Sequence, residues 1–322
     1  MTTDLTALMF HDEDAAREYF EAMRWPGGPV CPHCGVVNEA TRMQGKSHRA
    51  GQFQCNACRT SFSVTLGTVM EDSHLPLYKW ALAFRLMASS KKGVSAHQLH
   101  RSLGITYKTA WFLGHRIREA MRDYAPAPLG GEGKVVEADE MYHGTKEIKT
   151  PTRRGDRPYT KSGKSGGAQK RAVVALVERG GEVRAVAMTG KRVSAANVRQ
   201  VLVTHADRAS RLHTDESPLY VAVGDEFAKH ETVNHSQGDY AHGKGADLVT
   251  TNTMEGFFGV FKRGFTGTYQ HCGEQHFQRY LDEYTFRYNN RIALGIDDTT
   301  RATYAVLGAE GKRLTYRGAC SA

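Results

Sequence analysis

The sequence predicts an α/β domain with a mixed sheet, preceded by a small metal-binding module and a helical region. Two Cys-x-x-Cys pairs lie between residues 31 and 58, and helical periodicity dominates residues 77–122. After a Pro- and Gly-rich stretch at 124–133, strand-like segments are followed by a mixture of strands and amphipathic helices. A chain of 322 residues is long enough to hold these parts as separate domains.

The composition excludes disordered and membrane proteins. Hydrophobic residues make up 40% of the chain and charged residues 24%, as in ordinary globular proteins. No run of 18 apolar residues occurs, so no membrane span and no membrane partner are expected. The N-terminus turns acidic at once and lacks the pattern of a secretory signal, so we expect a cytoplasmic location.

The net charge of +9 indicates a polyanionic partner, most simply nucleic acid, with solubility as the alternative. Between Lys146 and Arg171, nine Lys or Arg residues stand against two acidic ones. Because this stretch is also rich in Gly, Ser, Thr and Pro, we predict a basic loop at 144–171. A solvated linker and phosphate contact are both open, and phosphate contact is favoured. The residues expected to contact phosphate are Arg153, Arg154, Lys161 and Lys164.

The four paired cysteines predict a zinc ribbon. Cys31 and Cys34 are separated by 20 residues from Cys55 and Cys58, a spacing typical of a tetrahedral Cys₄ site. Four thiolates leave no open coordination position for water, so the predicted Zn²⁺ is structural. Small modules of this kind need the metal to fold.

The segment after the ribbon predicts a helix-turn-helix. Helices are expected at 12–24, before the ribbon, and then from Leu77 to about Ser89, at 95–103 and at 106–122, with a turn at Gly104 between the last two. The 106–122 helix carries Lys108 and Arg116, which we expect at DNA. Plain helical packing is the alternative for this region.

Beyond the linker, the predicted elements alternate. We expect strands at 134–140, 171–179, 182–188, 211–215 and 232–235, and helices at 194–206, 251–264 and 275–291.

Glu255 stands beside the apolar stripe of the 251–264 helix, on a face that also carries Asn252 and Lys262. An isolated Glu in this position is ordinarily an edge residue. Two further carboxylates change that interpretation, because Asp139 and Asp215 each end a predicted strand. Carboxylates that converge from strand ends and a packed helix are able to hold a pair of divalent cations for phosphoryl displacement.

Taken together, the motifs resemble a known family. They are RWPGGPVCPHCG, the second Cys-x-x-Cys, EADEMYHGTKE, LHTDES, NTMEGFFGVFKRG and RYLDEYTFRYNNR, in this order. The chain resembles the DDE transposases of bacterial insertion sequences that carry an N-terminal zinc ribbon, an ISXO-like group related to the Merlin elements. The resemblance covers nearly the whole chain.

The resemblance implies an RNase H-like catalytic domain, a mixed sheet with flanking helices. It implies Asp139, Asp215 and Glu255 as a catalytic triad that binds two Mg²⁺ ions, with Mn²⁺ as a substitute. Lys262 matches a basic residue that the family places against DNA phosphate, and we expect Arg263 and Asn252, on the same predicted helix, at DNA as well. The implied reaction cuts element ends and joins the 3′-hydroxyl to target DNA. Double-stranded DNA is the implied partner, bound by a homo-oligomer.

On this basis we expect a helix and zinc ribbon at 1–72, a helix-turn-helix-like region at 73–124, a linker at 125–133 and the catalytic domain at 134–322. Two positions depart from the family pattern: Thr250 replaces the usual His, and Glu216 replaces the commoner Gly. Glu137 and Glu140 flank Asp139 and are alternative ligands. A DNA-binding regulator with an inactive α/β domain, and a nuclease that cuts without joining, are the alternative functions.

Overall fold

The structure is a computed structural model that describes residues 4–45, 47–144, 170–188 and 193–315. The predicted basic loop lies largely outside these residues, with Arg153, Arg154, Lys161 and Lys164. The chain divides into two compact units, residues 1–122 with 290–322, and residues 123–289. None of the helices in the described part is long and apolar enough to cross a membrane.

The elements are numbered in chain order. The helices described are α1 (Glu13–Arg24), α2 (Leu77–Ser89), α3 (Ala96–Leu103), α4 (Tyr107–Met121), α5 (Ala195–His205), α6 (Val221–Gly224), α7 (Asn252–Gly264), α8 (Phe277–Asn289) and α9 (Asp298–Leu307). The strands described are β1 (Ala40–Arg42), β2 (Gln52–Cys55), β3 (Ser61–Ser63), β4 (Val135–His143), β5 (Arg171–Glu178), β6 (Val183–Ala187), β7 (Arg211–Thr214), β8 (Lys229–Thr232), β9 (Ala241–His242) and β10 (Val249–Thr250).

In the first unit, β1, β2 and β3 form a small antiparallel sheet that carries the second cysteine pair. Trp25 packs edge-on against Phe53 and Phe62, with ring centroids 5.6 and 5.7 Å away. This aromatic cluster is small, so the sheet has little apolar core of its own to stabilise it.

Helices α3 and α4 are joined by a short turn, at the place where the sequence predicted a helix-turn-helix. The Ser95 hydroxyl accepts from the Gln98 N–H and begins α3, while Thr106 caps α4 in the same way through Thr109. Gly104 ends α3 at φ 59°, a left-handed conformation that suits glycine. The predicted bounds of both helices are confirmed to within one residue.

The C-terminal segment belongs to the first unit, contrary to the predicted domain at 134–322. Helix α9 buries Ala302, Ala305 and Val306. The buried Arg301 guanidinium donates to the Ala88 carbonyl at the end of α2 (3.2 Å). The segment therefore completes the helical core of this unit, and the α/β domain ends at about residue 289.

The second unit contains a five-stranded sheet in the order β6–β5–β4–β7–β8. Strands β4, β5 and β6 pair antiparallel, whereas β7 and β8 run parallel to β4. Helices α7 and α8 pack on one face of the sheet, and α5 and α6 on the other. The predicted α/β fold, a mixed sheet with flanking helices, is confirmed.

One predicted strand is displaced. The edge strand β8 spans Lys229–Thr232, whereas the sequence predicted residues 232–235. Asn234 accepts from the Gln237 N–H and begins a short 3₁₀ turn at His235–Gln237 instead. The Asn234 side chain binds a backbone N–H group and so favours a turn over continued strand pairing. The apolar pattern of the sequence does not indicate this local hydrogen bond.

Candidate active site and metal centre

The four cysteines form a metal-binding cluster in the first unit. Cys31 Sγ lies 3.7 Å from Cys58 Sγ, and Cys34 Sγ lies 3.6 Å from Cys55 Sγ. All four sulfur atoms are within 4.8 Å of one another. A zinc–sulfur bond of about 2.3 Å in tetrahedral geometry separates two sulfur atoms by about 3.8 Å. The cluster therefore fits Zn²⁺.

Asp139 and Asp215 meet at the same end of the sheet in the second unit. Strands β4 and β7 are parallel neighbours, with Glu137 opposite His213. Two residues further along, β4 carries Asp139 and the chain reaches Asp215. Burial raises the pKa of Asp139 to about 8, with further contributions from Asp215 and Glu140. Burial also raises the pKa of Asp215.

The surroundings of the two aspartates contain few groups that could neutralise them among the described residues. In the part of the chain that the structure describes, neither makes an ion pair with Lys or Arg. Asp215 Oδ1 accepts one hydrogen bond, from the N–H of Ser217 (3.1 Å). Two half-buried carboxylates whose pKa values are raised by burial are stabilised in the ionised form by a cation, and Mg²⁺ prefers such oxygen ligands.

Glu255 lies in the first turn of α7, the helix that packs against β4 and β5. Its side chain is exposed, and Oε1 lies 3.7 Å from Nε2 of His235. Among the described residues, only the four cysteines form a group of three or more possible metal ligands whose ligand atoms all lie within 4.8 Å of one another, so Asp139, Asp215 and Glu255 do not form such a compact group.

Glu216 fixes the segment that carries His235. Its carboxylate accepts from the N–H groups of His235 (2.9 Å) and Ser236 (3.1 Å). Its own backbone amide, and then these two, lower the pKa of Glu216 to about 2. The residue that departs from the family pattern at 216 therefore has a structural role next to Asp215.

Thr250, the other departure, is buried in β10. Its hydroxyl donates to the Tyr240 carbonyl (3.2 Å) and closes the β9–β10 hairpin. Position 250 thus supports the hairpin, and the imidazole beside Glu255 comes from His235 in a different segment.

The two alternative ligands are distinguished by their surroundings. Glu137 is fully buried (0% exposed) and bonded to Arg179, Thr253 and Met254, so it has no free oxygen to offer. Glu140 points to the opposite face of β4 from Asp139 because side chains alternate along a strand. There it accepts a long hydrogen bond from Ser217 Oγ (3.4 Å).

Two protein-family models match the chain. Residues 128–289 match the model of the ISXO2-like transposase domain. Residues 11–61 match that of the transposase zinc-ribbon domain. The chain belongs to the ISXO2-like transposase family. The zinc-ribbon match includes all four clustered cysteines, and the transposase match includes Asp139, Asp215 and Glu255.

Individual relatives are more distant. A Halobacterium salinarum protein, described as an uncharacterized protein in transposable element ISH50, is 29% identical over 261 residues, 79% of this chain and 83% of that protein. The pre-cleavage Mos1 transpososome covers 73% of this chain and 80% of its own, at 11% identity and a TM-score of 0.27. The Mos1 strand transfer complex covers 73% and 79%, at 12% identity and the same TM-score.

Four of the basic and polar residues predicted to contact DNA in this ISXO2-like transposase are exposed. They are Lys108 at the start of α4, and Asn252, Lys262 and Arg263 on α7. The Lys262 ammonium stands 5.9 Å from the Phe258 ring centroid. Their positions leave them accessible to a large ligand.

The buried position of Arg116 disagrees with its predicted contact with DNA. The sequence predicted it at DNA, but it is 7% exposed, donates to the Glu71 carbonyl and lies over the rings of Trp80 and Phe112. Helix α4 is buried from Leu113 onward, so only its first turns face outward. Helical spacing alone could not indicate that both sides of this helix are covered.

Sequence reasoning missed several residues of the transposase site. His235 was assigned to a strand, and the role of Arg179 was not predicted. One available signal was Glu137, an acidic residue two positions before Asp139 on the same face of a predicted strand. A charge there needs a buried partner.

Proposed function

We propose that this transposase cuts DNA at the ends of its element and joins the freed 3′-hydroxyl to target DNA, using two Mg²⁺ ions. The observation that carries the proposal is the meeting of Asp139 and Asp215 at one end of the sheet, beside the helix that carries Glu255. Asp215 and Glu255 both act electrostatically on Asp139, which supports a shared site for the three carboxylates.

The three carboxylates would hold the ions, with Asp139 as the central ligand because its strand β4 pairs with β7 and contacts α7. When bound, Mg²⁺ lowers the pKa of a coordinated water and neutralises charge that develops on the phosphoryl oxygens. The chain itself contributes position: a rigid sheet end for the two aspartates and a packed helix for Glu255. No covalent intermediate with a side chain is required.

DNA contacts would come from both units. On α7, Asn252, Lys262 and Arg263 are exposed and would contact backbone phosphate. In the first unit, the exposed start of α4 with Lys108 matches the part of a recognition helix that enters the major groove. The zinc ribbon is the other candidate for base reading. Because two element ends must be paired, we propose a homo-oligomer on DNA.

The test is an assay on a labelled duplex that carries the terminal repeat flanking the coding sequence, with Mg²⁺ and a target duplex. We expect the wild type to cut the end and join it, and Glu255→Ala to bind equally well but do neither. Glu274→Ala, which changes an exposed Glu before α8, is the matched control. Cutting without joining by the wild type would favour the nuclease, and equal cutting by Glu255→Ala would exclude Glu255 from the site.

A further inference from the structure

The three elements that carry the proposed metal ligands meet at one buried cluster. Glu137 lies two residues before Asp139 on β4, and His213 lies two residues before Asp215 on β7. Thr253 lies two residues before Glu255 on α7. Glu137 and His213 contact the guanidinium of Arg179, which follows β5, and Thr253 contacts Glu137. Each proposed metal ligand is therefore preceded, two residues earlier in the chain, by a residue of this cluster.

Glu137 anchors the start of α7 to the sheet. One of its carboxylate oxygens, Oε2, accepts from the N–H groups of Thr253 (2.9 Å) and Met254 (3.1 Å). Its other oxygen accepts from the Thr253 hydroxyl (2.9 Å). The first N–H groups of a helix have no partner within the helix, and a negative charge there is favourable. Thr251 at the N-cap makes no capping hydrogen bond, so a carboxylate from β4 supplies the cap.

Arg179 joins the remaining pieces to Glu137. Its Nε and Nη2 donate to Glu137 Oε1 (3.1 and 2.9 Å), and Nη2 also lies 3.2 Å from Nδ1 of His213. Nη1 donates to the Leu248 carbonyl (2.8 Å), and Nη2 to that of Thr250 (3.3 Å). The guanidinium thus binds β4, β7 and the β10 segment that leads into α7.

We propose that the Glu137–Arg179–His213 cluster is a positioning device that sets the separation of Asp139, Asp215 and Glu255. The inference rests on the proposed function, in which these carboxylates hold divalent cations. A buried ion pair contributes little net stability compared with apolar packing, so stability alone gives no reason to place one here. Residues behind metal ligands, in contrast, commonly decide how well the ligands bind.

The sharpest test uses two threonines at the start of α7. Thr253→Val removes the hydroxyl that donates to Glu137 and keeps the shape of the side chain. Thr251→Val makes the same change at a buried hydroxyl that has no partner among the described residues. We expect Thr253→Val to weaken Mn²⁺ binding and Thr251→Val to leave it unchanged. Binding is measured on the zinc-loaded full chain from the electron paramagnetic resonance signal of free Mn²⁺.

A second pair of variants probes the ion pair. Glu137→Gln removes the charge at the centre of the cluster, whereas Glu283→Gln does so in the buried Glu283–Arg287 pair on α8. Outer-layer substitutions typically cost about 10- to 100-fold in metal affinity, so we expect a loss of at least about tenfold for Glu137→Gln. We also expect faster amide hydrogen exchange at Thr253 and Met254 in Glu137→Gln, with no change there in Glu283→Gln.

The outcomes separate this inference from the proposed function. Mn²⁺ binding that is absent in wild type, or unaffected by Asp139→Asn, would contradict the proposed function. A different result would overturn the positioning role alone. In that case Mn²⁺ binding requires Asp139, but it does not differ between Thr253→Val and Thr251→Val. It also does not differ between Glu137→Gln and Glu283→Gln. If Glu137→Gln does not fold, the threonine pair decides the question.

Discussion

Asp139 is the residue whose environment has the clearest consequence for stability. Its pKa is raised from 3.8 to about 8, chiefly by burial, so between these values the folded chain holds a proton that the unfolded chain has lost. The free energy of unfolding contributed by this group is therefore unaffected below about pH 4 and falls as the pH rises towards 8.

We predict that zinc-loaded protein without Mg²⁺ loses stability between pH 5 and 8 relative to Asp139→Asn, whose side chain does not titrate. The measurement is urea unfolding of both proteins across this range. Added Mg²⁺ should restore the wild type at the alkaline end, because it stabilises the ionised carboxylate. Parallel stability curves for the two proteins would contradict the raised pKa.

Arg116 and Lys108 lie on the same helix and should give opposite results. Arg116→Ala removes a buried side chain that donates to the Glu71 carbonyl and lies over two aromatic rings. We expect it to lower the free energy of unfolding by roughly 1–3 kcal/mol, the cost of leaving a buried polar group unpaired. Thermal or urea unfolding measures the loss.

Lys108→Ala changes an exposed position at the start of α4. We expect it to leave stability unchanged and to reduce the salt dependence of DNA binding by about one phosphate contact. Fluorescence anisotropy with an element-end duplex at several salt concentrations measures this. The interpretation would be wrong if Arg116→Ala weakened DNA binding while its stability stayed at the wild-type level.

Residue roles were predictable where the chemistry depends on spacing. The role of the four cysteines as zinc ligands could be predicted from the two Cys-x-x-Cys pairs, because one tetrahedral metal ion needs both pairs. Arg116 was not predictable, since an Arg beside apolar residues on a helix is compatible with burial or exposure. His235 approaches Glu255 across 20 positions of sequence, and only the fold of the intervening hairpin brings them together.

At the scale of elements, the zinc ribbon should depend on its metal. The three strands β1–β3 are short, and their aromatic cluster is small. We predict that Cys34→Ser abolishes stoichiometric zinc binding and exposes the amides of β2 and β3 to hydrogen exchange. Cys272→Ser, at a buried cysteine of the second unit, should retain one zinc per chain. Zinc release is measured with a colorimetric chelator.

If Cys34→Ser retained its zinc and its protected amides, the cluster would not be the structural centre of the ribbon. The test is specific to this element, since the expected change in exchange is confined to residues near 30–63. A loss of protection in β4 or β5 would instead indicate a wider role for the metal.

Most elements could be predicted because they have a clear apolar period and end signals. Helices α3 and α4 have capping residues and a glycine between them, and β5 is a continuous apolar run. Helix α9 was missed because its sequence, DTTRATYAVL, has only a weak apolar stripe. Its contact with α2 stabilises the helix, and the sequence pattern does not show this contact. Strand β8 was displaced because KHET carries polar side chains at a sheet edge.

At the scale of the whole molecule, the mixed sheet could be predicted as a class, but its strand order could not. Alternating strands and helices indicate an α/β domain, whereas the order β6–β5–β4–β7–β8 depends on pairings between distant segments. The same limit explains the C-terminal boundary: a segment joined in sequence to one unit supplies a helix to the other.

In the proposed function, Asp139, Asp215 and Glu255 share one divalent-cation site. The most direct measurement replaces Mg²⁺ with Fe²⁺ in zinc-saturated protein and maps the peptide bonds that hydroxyl radicals cut near the bound iron. We predict cuts clustered at the end of β4, directly after β7 and in the first turn of α7, all suppressed by excess Mg²⁺ and absent in Asp139→Asn. Cuts at other places, or cuts that persist in Asp139→Asn, would contradict the account.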